Sequence, residues 1–405
     1  MNDLTQVVLT PKVTTEGFDP LGTAVHRGST IVFENAAAYA NRGQRGPEGY
    51  SYGLYGTPTT RTLELKLTKL EGGLRTFLVP SGQAANSVAI LSFLKGGDNI
   101  LVADTAYPPV RDFADQDLAR LGIETRYFDP SSIGDLERQI DDRTAMIWCE
   151  SPGSTTMEVQ DMPAIVAVAR RRGILVGCDN TWATPLNFKP VAHGVDIVTE
   201  ALTKYVSGHS DILMGSVTIA HPEHEAVVRG FMGRFGIGVS PDDAALVLRG
   251  METLGIRLQR SFESAWALVR QIERHPLVDR VLWPPLATSH GHSIWKRDFI
   301  GASGVFGVVF KDACTAHVSP ALDVLKTFAI GASWGGTRSL VAPMPVRANR
   351  TAAEWTSPDL VLRISVGIEA LEDLEADMTC LLARITELTA SERSDNTGDA
   401  RRSFA

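Results

Sequence analysis

The chain has 405 residues, 44% of them hydrophobic and 21% charged, with a formal net charge of −8. That length supports two or three packed domains, and the acidic balance argues against nucleic acid or an anionic membrane as a main partner. Cys149, Cys178, Cys314 and Cys380 are scattered without CxxC spacing, which suits reduced thiols in the cytoplasm. The opening MNDLTQVVLTPK lacks a basic segment followed by an apolar core, and no apolar run approaches membrane-spanning length. Neither a secretory signal nor a membrane anchor is therefore expected.

Residues 1–60 are rich in Gly, Thr, Tyr and Pro, and 41–60 (NRGQRGPEGYSYGLYGTPTT) reads as loop. So long a structureless loop is unfavourable inside one compact domain, so an arm packing on a neighbouring subunit is expected. RTLELKLTKLEGG (61–73) reads as an amphipathic helix stopped at Gly72 and Gly73. β-rich runs at 76–79, 99–103, 124–128, 144–149, 174–178, 195–199 and 213–220 then alternate with helical stretches such as 83–95, 110–121 and 161–172. Such alternation predicts an α/β domain over 61–255 on a mainly parallel seven-stranded sheet, with ligands at the carboxyl ends of the strands. A long helix over 241–275 leads into a smaller α+β domain over 256–390, with strands at 280–283, 304–310, 326–330 and 361–366. The polar stretch 391–405 is expected to be disordered.

Three features fall at predicted strand ends. Ser81-Gly82-Gln83 follows FLVP and opens a helix. Its N–H groups and the helix dipole suit a phosphate, although alone the turn reads more readily as a plain N-cap. Asp179 follows ILVGC inside DNTWATP, and alone is either a functional acid or a cap. Lys204, in ALTKYVSGHSD, follows the run VDIVT. Most lysines are solvated, but a partly desolvated one between Thr203 and Tyr205 has a lowered pKa and a usable amine. In that order at the ends of predicted strands, the three match the needs of pyridoxal 5′-phosphate (PLP): an anchored phosphate, an acid keeping the pyridine nitrogen protonated, and a lysine forming an imine. A nicotinamide-dinucleotide reading fails, because no GxGxxG follows the first strand of the α/β domain.

Longer motifs follow in order: YGLYGTPTTRTLE (52–64), PSGQAAN (80–86), DTAYPPVRDF (104–113), ESPGSTTMEVQD (150–161), DNTWATP (179–185), TKYVSGHSD (203–211), SWGG (333–336) and LRISVGIE (362–369). Through them the sequence resembles the Cys/Met-metabolism branch of fold-type I PLP enzymes, which holds cystathionine β-lyases, γ-lyases and γ-synthases. The resemblance runs from about Val25 to about Leu382. It implies a large, mainly parallel seven-stranded sheet domain, an N-terminal arm and a smaller C-terminal α+β domain. By the same resemblance Lys204 is the cofactor lysine, Asp179 pairs with the pyridinium nitrogen, Gly82 and Gln83 give N–H groups to the phosphate with help from Thr203, and Tyr107 lies over the ring. Arg363 would grip the substrate carboxylate with a two-pronged hydrogen bond, beside Ser333 and Trp334. Tyr52 would reach the phosphate or substrate in a neighbouring subunit's site, which implies an active dimer and, as the family commonly has it, a homotetramer.

Two departures bear on the phosphate. Leu54 stands where many relatives carry a phosphate-binding arginine, and Ala201 where many carry a phosphate-binding serine. PLP is therefore expected to be held with fewer phosphate contacts than usual, unless Tyr55 or Arg61 compensates. Several γ-specific relatives carry Glu immediately before the Ser of this loop, where Ala332 stands, and methionine γ-lyases carry Cys two residues after the stacking tyrosine, where Pro109 stands. The resemblance thus favours β-elimination from L-cystathionine or a related cysteine S-conjugate. The alternatives are a γ-synthase or γ-lyase of the same family, and a non-catalytic binding or regulatory protein, against which the intact Lys204, Asp179, Tyr107 and Arg363 set argues.

Overall fold

The computed structural model describes Gln6 and residues 14–402; the rest of the expected arm and tail lie outside the described residues. The first long helix, Pro58–Glu71, begins three residues before Arg61, because Thr57 and Thr60 form a reciprocal cap and Pro58 takes the first helical position. It leads into the larger sheet: β1 (Arg75–Val79), β2 (Asn99–Ala103), β3 (Glu124–Phe128), β4 (Thr144–Glu150), β5 (Leu175–Asp179), β6 (Ile197–Glu200) and β7 (Gly215–Ile219). Their order is β1-β7-β6-β5-β4-β2-β3, and only β7 runs against its neighbours. β1 therefore points the same way as β2 to β6, and the carboxyl ends of all six share one edge. β4 to β6 are almost wholly buried, as expected for parallel strands with helices on both faces.

Two helical expectations change. The 110–121 stretch starts at Pro108, and its second half, Phe113–Leu118, is wound as a π-helix. The 241–275 stretch is two helices, Pro241–Met251 and Leu254–Ile272. Apolar periodicity continues through the junction, which hid the break. There the Thr253 hydroxyl donates to the Gly250 carbonyl (3.2 Å) and accepts from Arg257 Nε (3.0 Å).

The second sheet holds β8 (Val278–Leu282), β9 (Val305–Phe310), β10 (Ala329–Ile330), β11 (Leu340–Pro345) and β12 (Leu360–Ser365), in the order β10-β11-β12-β9-β8. β10 keeps only two residues of the expected 326–330 strand. β11 was not expected at all, because Pro343 and Pro345 argue against an inner strand. They are tolerated because β10 pairs only with Leu340 and Val341, which leaves the proline positions on an open edge. One apolar core joins the sheets, running from Ile147, Cys149 and Cys178 to Val305, Phe306 and Ile364.

The last helix, Leu371–Arg402, packs through Leu374, Met378, Leu381 and Ile385. It continues through 391–402, where polar composition implied disorder; extending a nucleated helix adds one bond per residue. No helix among the described residues is long and apolar enough to cross a membrane.

Candidate active site

A cavity of about 210 Å³ opens at the shared edge of the strands. Its walls bring together Ser81, Gly82, Gln83, Tyr107, Asp179, Thr203, Lys204 and Trp334, far apart in sequence. Val79 delivers the chain to Ser81, which caps the helix Gly82–Leu91 by accepting from the Ala84 N–H at 3.1 Å. The first-turn N–H groups of Gly82 and Gln83 have no intrahelical carbonyl to bond. Only glycine fits at position 82, since a Cβ there would overlap the Ala201 methyl.

Asp179 ends β5. Its Oδ1 accepts from the Thr181 N–H (3.0 Å) and hydroxyl (2.5 Å), and its Oδ2 from Asn86 Nδ2 (3.1 Å). Asn86 is fixed in turn, because its Oδ1 accepts from the Thr199 hydroxyl at 2.6 Å. Burial raises the Asp179 pKa against these donors and the Lys204 charge, all of which lower it.

Lys204 lies four residues beyond β6, where its Nζ donates to Ser333 Oγ at 2.7 Å and stands 5.3 Å from the centre of the Trp334 ring. Burial, joined by the Arg363 charge, brings its ammonium down to about 8, while Asp179 pulls the other way. At neutral pH roughly a tenth is then free amine, against roughly three in ten thousand for an ordinary lysine. The turn behind it is held by buried Arg257, which donates to the carbonyls of Tyr205 (2.7 Å) and Gly250 (2.8 Å). Gly208, at φ 73°, lies against that guanidinium with no room for a side chain.

Tyr107 follows β2, and its loop is tied to the second sheet through Asp104. The Asp104 carboxylate accepts from the backbone N–H groups of Thr351, Ala352 and Ala353 and pairs with Arg111 at 2.9 Å. Burial works to raise the Asp104 pKa, but the backbone donors outweigh it and hold the carboxyl below its usual range.

From the second sheet, Arg363 sits buried within β12. Its Nη2 donates to the Ala332 carbonyl and to that of Ser333 (3.3 Å). It does not line the cavity wall, but its charge lowers the pKa of Lys204 and works to lower that of Tyr107.

Other named residues lie outside this cavity or turn away from it. Tyr52 is half exposed and lines a separate surface groove with Leu54 and Asp242. Arg61 donates to the carbonyls of Pro47 and Tyr55 (both 2.9 Å), and neither it nor Tyr55 lines the cavity. The Thr203 hydroxyl donates to the Met214 carbonyl and accepts from the Met214 N–H. Among the described lining residues Lys204 is the one cation.

A family model described as Cys/Met metabolism PLP-dependent enzyme matches residues 5–383. The chain belongs to that family. Within it, the chain is 44% identical over 360 residues to a putative cystathionine beta-lyase of Rhizobium johnstonii, covering 87% of this chain and 89% of the relative. It is 36% identical over 373 residues to cystathionine beta-lyase MetC of Escherichia coli, covering 90% and 94%. Among solved structures, cystathionine gamma synthase from Xanthomonas oryzae pv. oryzae in complex with cystathionine matches with a TM-score of 0.84 at 28% identity, covering 92% of this chain and 95% of that one. The cofactor of this family suits the cavity: free helix N-terminal amides, a buried carboxylate and an amine of lowered pKa lie on different walls of one space.

Residues missed from sequence are Asn86, Glu150, Ser154, Thr181, Trp182 and Leu213, all on the cavity wall, and Arg257 behind it. Glu150 had a readable signal, since it ends the run TAMIWC as Asp179 ends ILVGC.

Proposed function

We propose that this enzyme cleaves the Cβ–S bond of L-cystathionine or a related cysteine S-conjugate, consuming water and releasing the thiol, pyruvate and ammonia. The observation that carries this reading is the Lys204 amine, of lowered pKa, placed in one cavity with Asp179 and Tyr107. PLP, when bound, supplies an electron sink for the charge left at Cα. The amides of Gly82 and Gln83 would hold its phosphate, joined by Thr203 once its hydroxyl turns from the Met214 carbonyl, and Asp179 would hold its ring nitrogen. Tyr107 would cover the ring.

Arg363 forms no hydrogen bond among the described residues beyond its two loop carbonyls, so the rest of its fork would receive the substrate carboxylate, next to Ser333 and Trp334. Lys204 would then take the proton from Cα. For γ-chemistry a further proton must leave Cβ. Position 332, immediately before the loop serine, is an alanine, and position 109, two residues after Tyr107, is a proline. Neither can carry that proton. With purified enzyme and L-cystathionine, pyruvate should be the keto acid formed; 2-oxobutyrate as the sole product would replace this reading with the γ-lyase one.

The working unit is proposed to be a homodimer, with a homotetramer as its pairing and the cytoplasm as its compartment. Phe18, Leu21 and Val32 are largely exposed on the protomer, which supports burial of the arm on a second copy. Tyr52 would serve that copy's cavity. Co-expressed Lys204→Ala and Tyr52→Ala chains should therefore be more active together than either alone, because each mixed dimer holds one site with both residues intact. No gain on mixing would place Tyr52 in its own protomer's site.

A further inference from the structure

Glu150 is the acid on the cavity wall, besides Asp179, and the proposed reaction gives it no role. It ends β4 and is paired in register with Asp179, the last residue of β5. Neighbours in register on parallel strands project from the same face, so two carboxyl groups rise side by side at the cavity floor. No cation is bonded to either among the described residues. Two carboxylates so placed cannot both ionise readily.

Hydrogen bonding decides which of them keeps the charge. Asp179 accepts three bonds, from Asn86 Nδ2 and from the Thr181 N–H and hydroxyl. The Glu150 carboxyl accepts one, from the Tyr107 N–H to Oε2 at 2.6 Å. Three donors stabilise an anion far more than one, so the negative charge settles on Asp179 and the proton on Glu150. In agreement, burial and the Asp179 charge push the Glu150 pKa well up, against the single Tyr107 donor.

That one bond is placed where it matters. Pro108 and Pro109 follow Tyr107 and have no N–H of their own. The bond from the Tyr107 N–H to Glu150 therefore fixes the direction of the chain where it turns into the helix Pro108–Asp112. We infer that Glu150 is a positioning residue: a proton-bearing acid whose bond to the Tyr107 N–H sets that ring over the cavity, while Asp179 alone is the anion of the pair. This rests on the cofactor of the family and not on the choice of substrate.

The test compares Glu150→Gln, Glu150→Val and Glu150→Asp. Gln keeps a neutral acceptor of the same reach. Its kcat/KM on L-cystathionine should stay within about threefold of the parent, since no charge and no bond is lost. The pH titration of the bound cofactor's visible absorption band should not move. Val removes the acceptor and leaves the Tyr107 N–H unpaired; KM should rise roughly tenfold or more, with a smaller change in kcat and faster loss of PLP on dialysis. Asp withdraws the acceptor by one methylene and should share the raised KM, which covers the case in which the Val variant does not fold.

A downward shift of the band titration in Glu150→Gln would show that the parent residue carries a negative charge, and would overturn the inference. Unchanged KM and PLP retention in both Val and Asp variants would equally overturn it. The band titration and PLP retention need no substrate, so they stand or fall separately from the proposed lyase reaction.

Discussion

Lys204→Ala should leave a folded protein that forms pyruvate from L-cystathionine at least about 10⁴-fold more slowly than the parent, because on the proposed reading one substitution removes both the group that bonds the cofactor and the base for Cα. The visible absorption band of covalently held cofactor should vanish with it. Lys204→Arg keeps a positive charge beside Ser333 and Asp179 but offers no free amine near neutral pH, so it should be no better. The lowered ammonium pKa of about 8 adds a pH signature. Below that value the free amine falls about tenfold per pH unit, and attachment of PLP to the cofactor-free parent chain should slow in step. An Ala variant retaining more than about a hundredth of parental activity would remove Lys204 from the centre of the chemistry.

Asp179→Asn should lower kcat/KM by on the order of 100-fold or more, the scale of a lost charge-assisted bond to a buried cation. The surroundings specify an acceptor at this position. Asn86 is oriented by the Thr199 hydroxyl, so its amide points its hydrogens at Asp179 Oδ2. Both Thr181 donors point at Oδ1. An asparagine amide placed against Asn86 Nδ2 sets donor against donor. If it turns the other way, it sets donor against the Thr181 N–H instead. The variant should therefore bind PLP more weakly as well as turn over more slowly, a pairing that fluorescence titration of cofactor binding alongside the pyruvate assay would read. Retained turnover with unchanged cofactor affinity would mean that the carboxylate does not meet the ring nitrogen.

Many strand positions were legible because strands such as NILVA, TAMIWCE and LVGCD are short, largely apolar runs kept so by helix cover on both faces, although the edge strand ETRYF is polar and half-buried. Asp179 and Lys204 were legible for the same reason, as charges set where such runs stop. Glu150 meets the same test at the end of TAMIWCE, but a second acid has no obvious place beside a cofactor that needs one. Asn86 and Thr181 left no signal: a polar residue early in a helix and a threonine in a turn are ordinary until Asp179 is placed between them. Arg257 reads as one charge on an amphipathic helix, and only folding brings it under the Lys204 turn. β11 was lost to its prolines, and the break at Thr253 to an apolar stripe that continues past it.

Arg363 holds the loop over the cavity through the main-chain carbonyls of Ala332 and Ser333 and not through their side chains. Every amino acid brings the same carbonyl. Position 332 can therefore change its side chain without surrendering the bond that keeps the loop in place. Along a lineage, the side chain at this position can be rewritten while the bond that ties the loop to β12 is inherited intact.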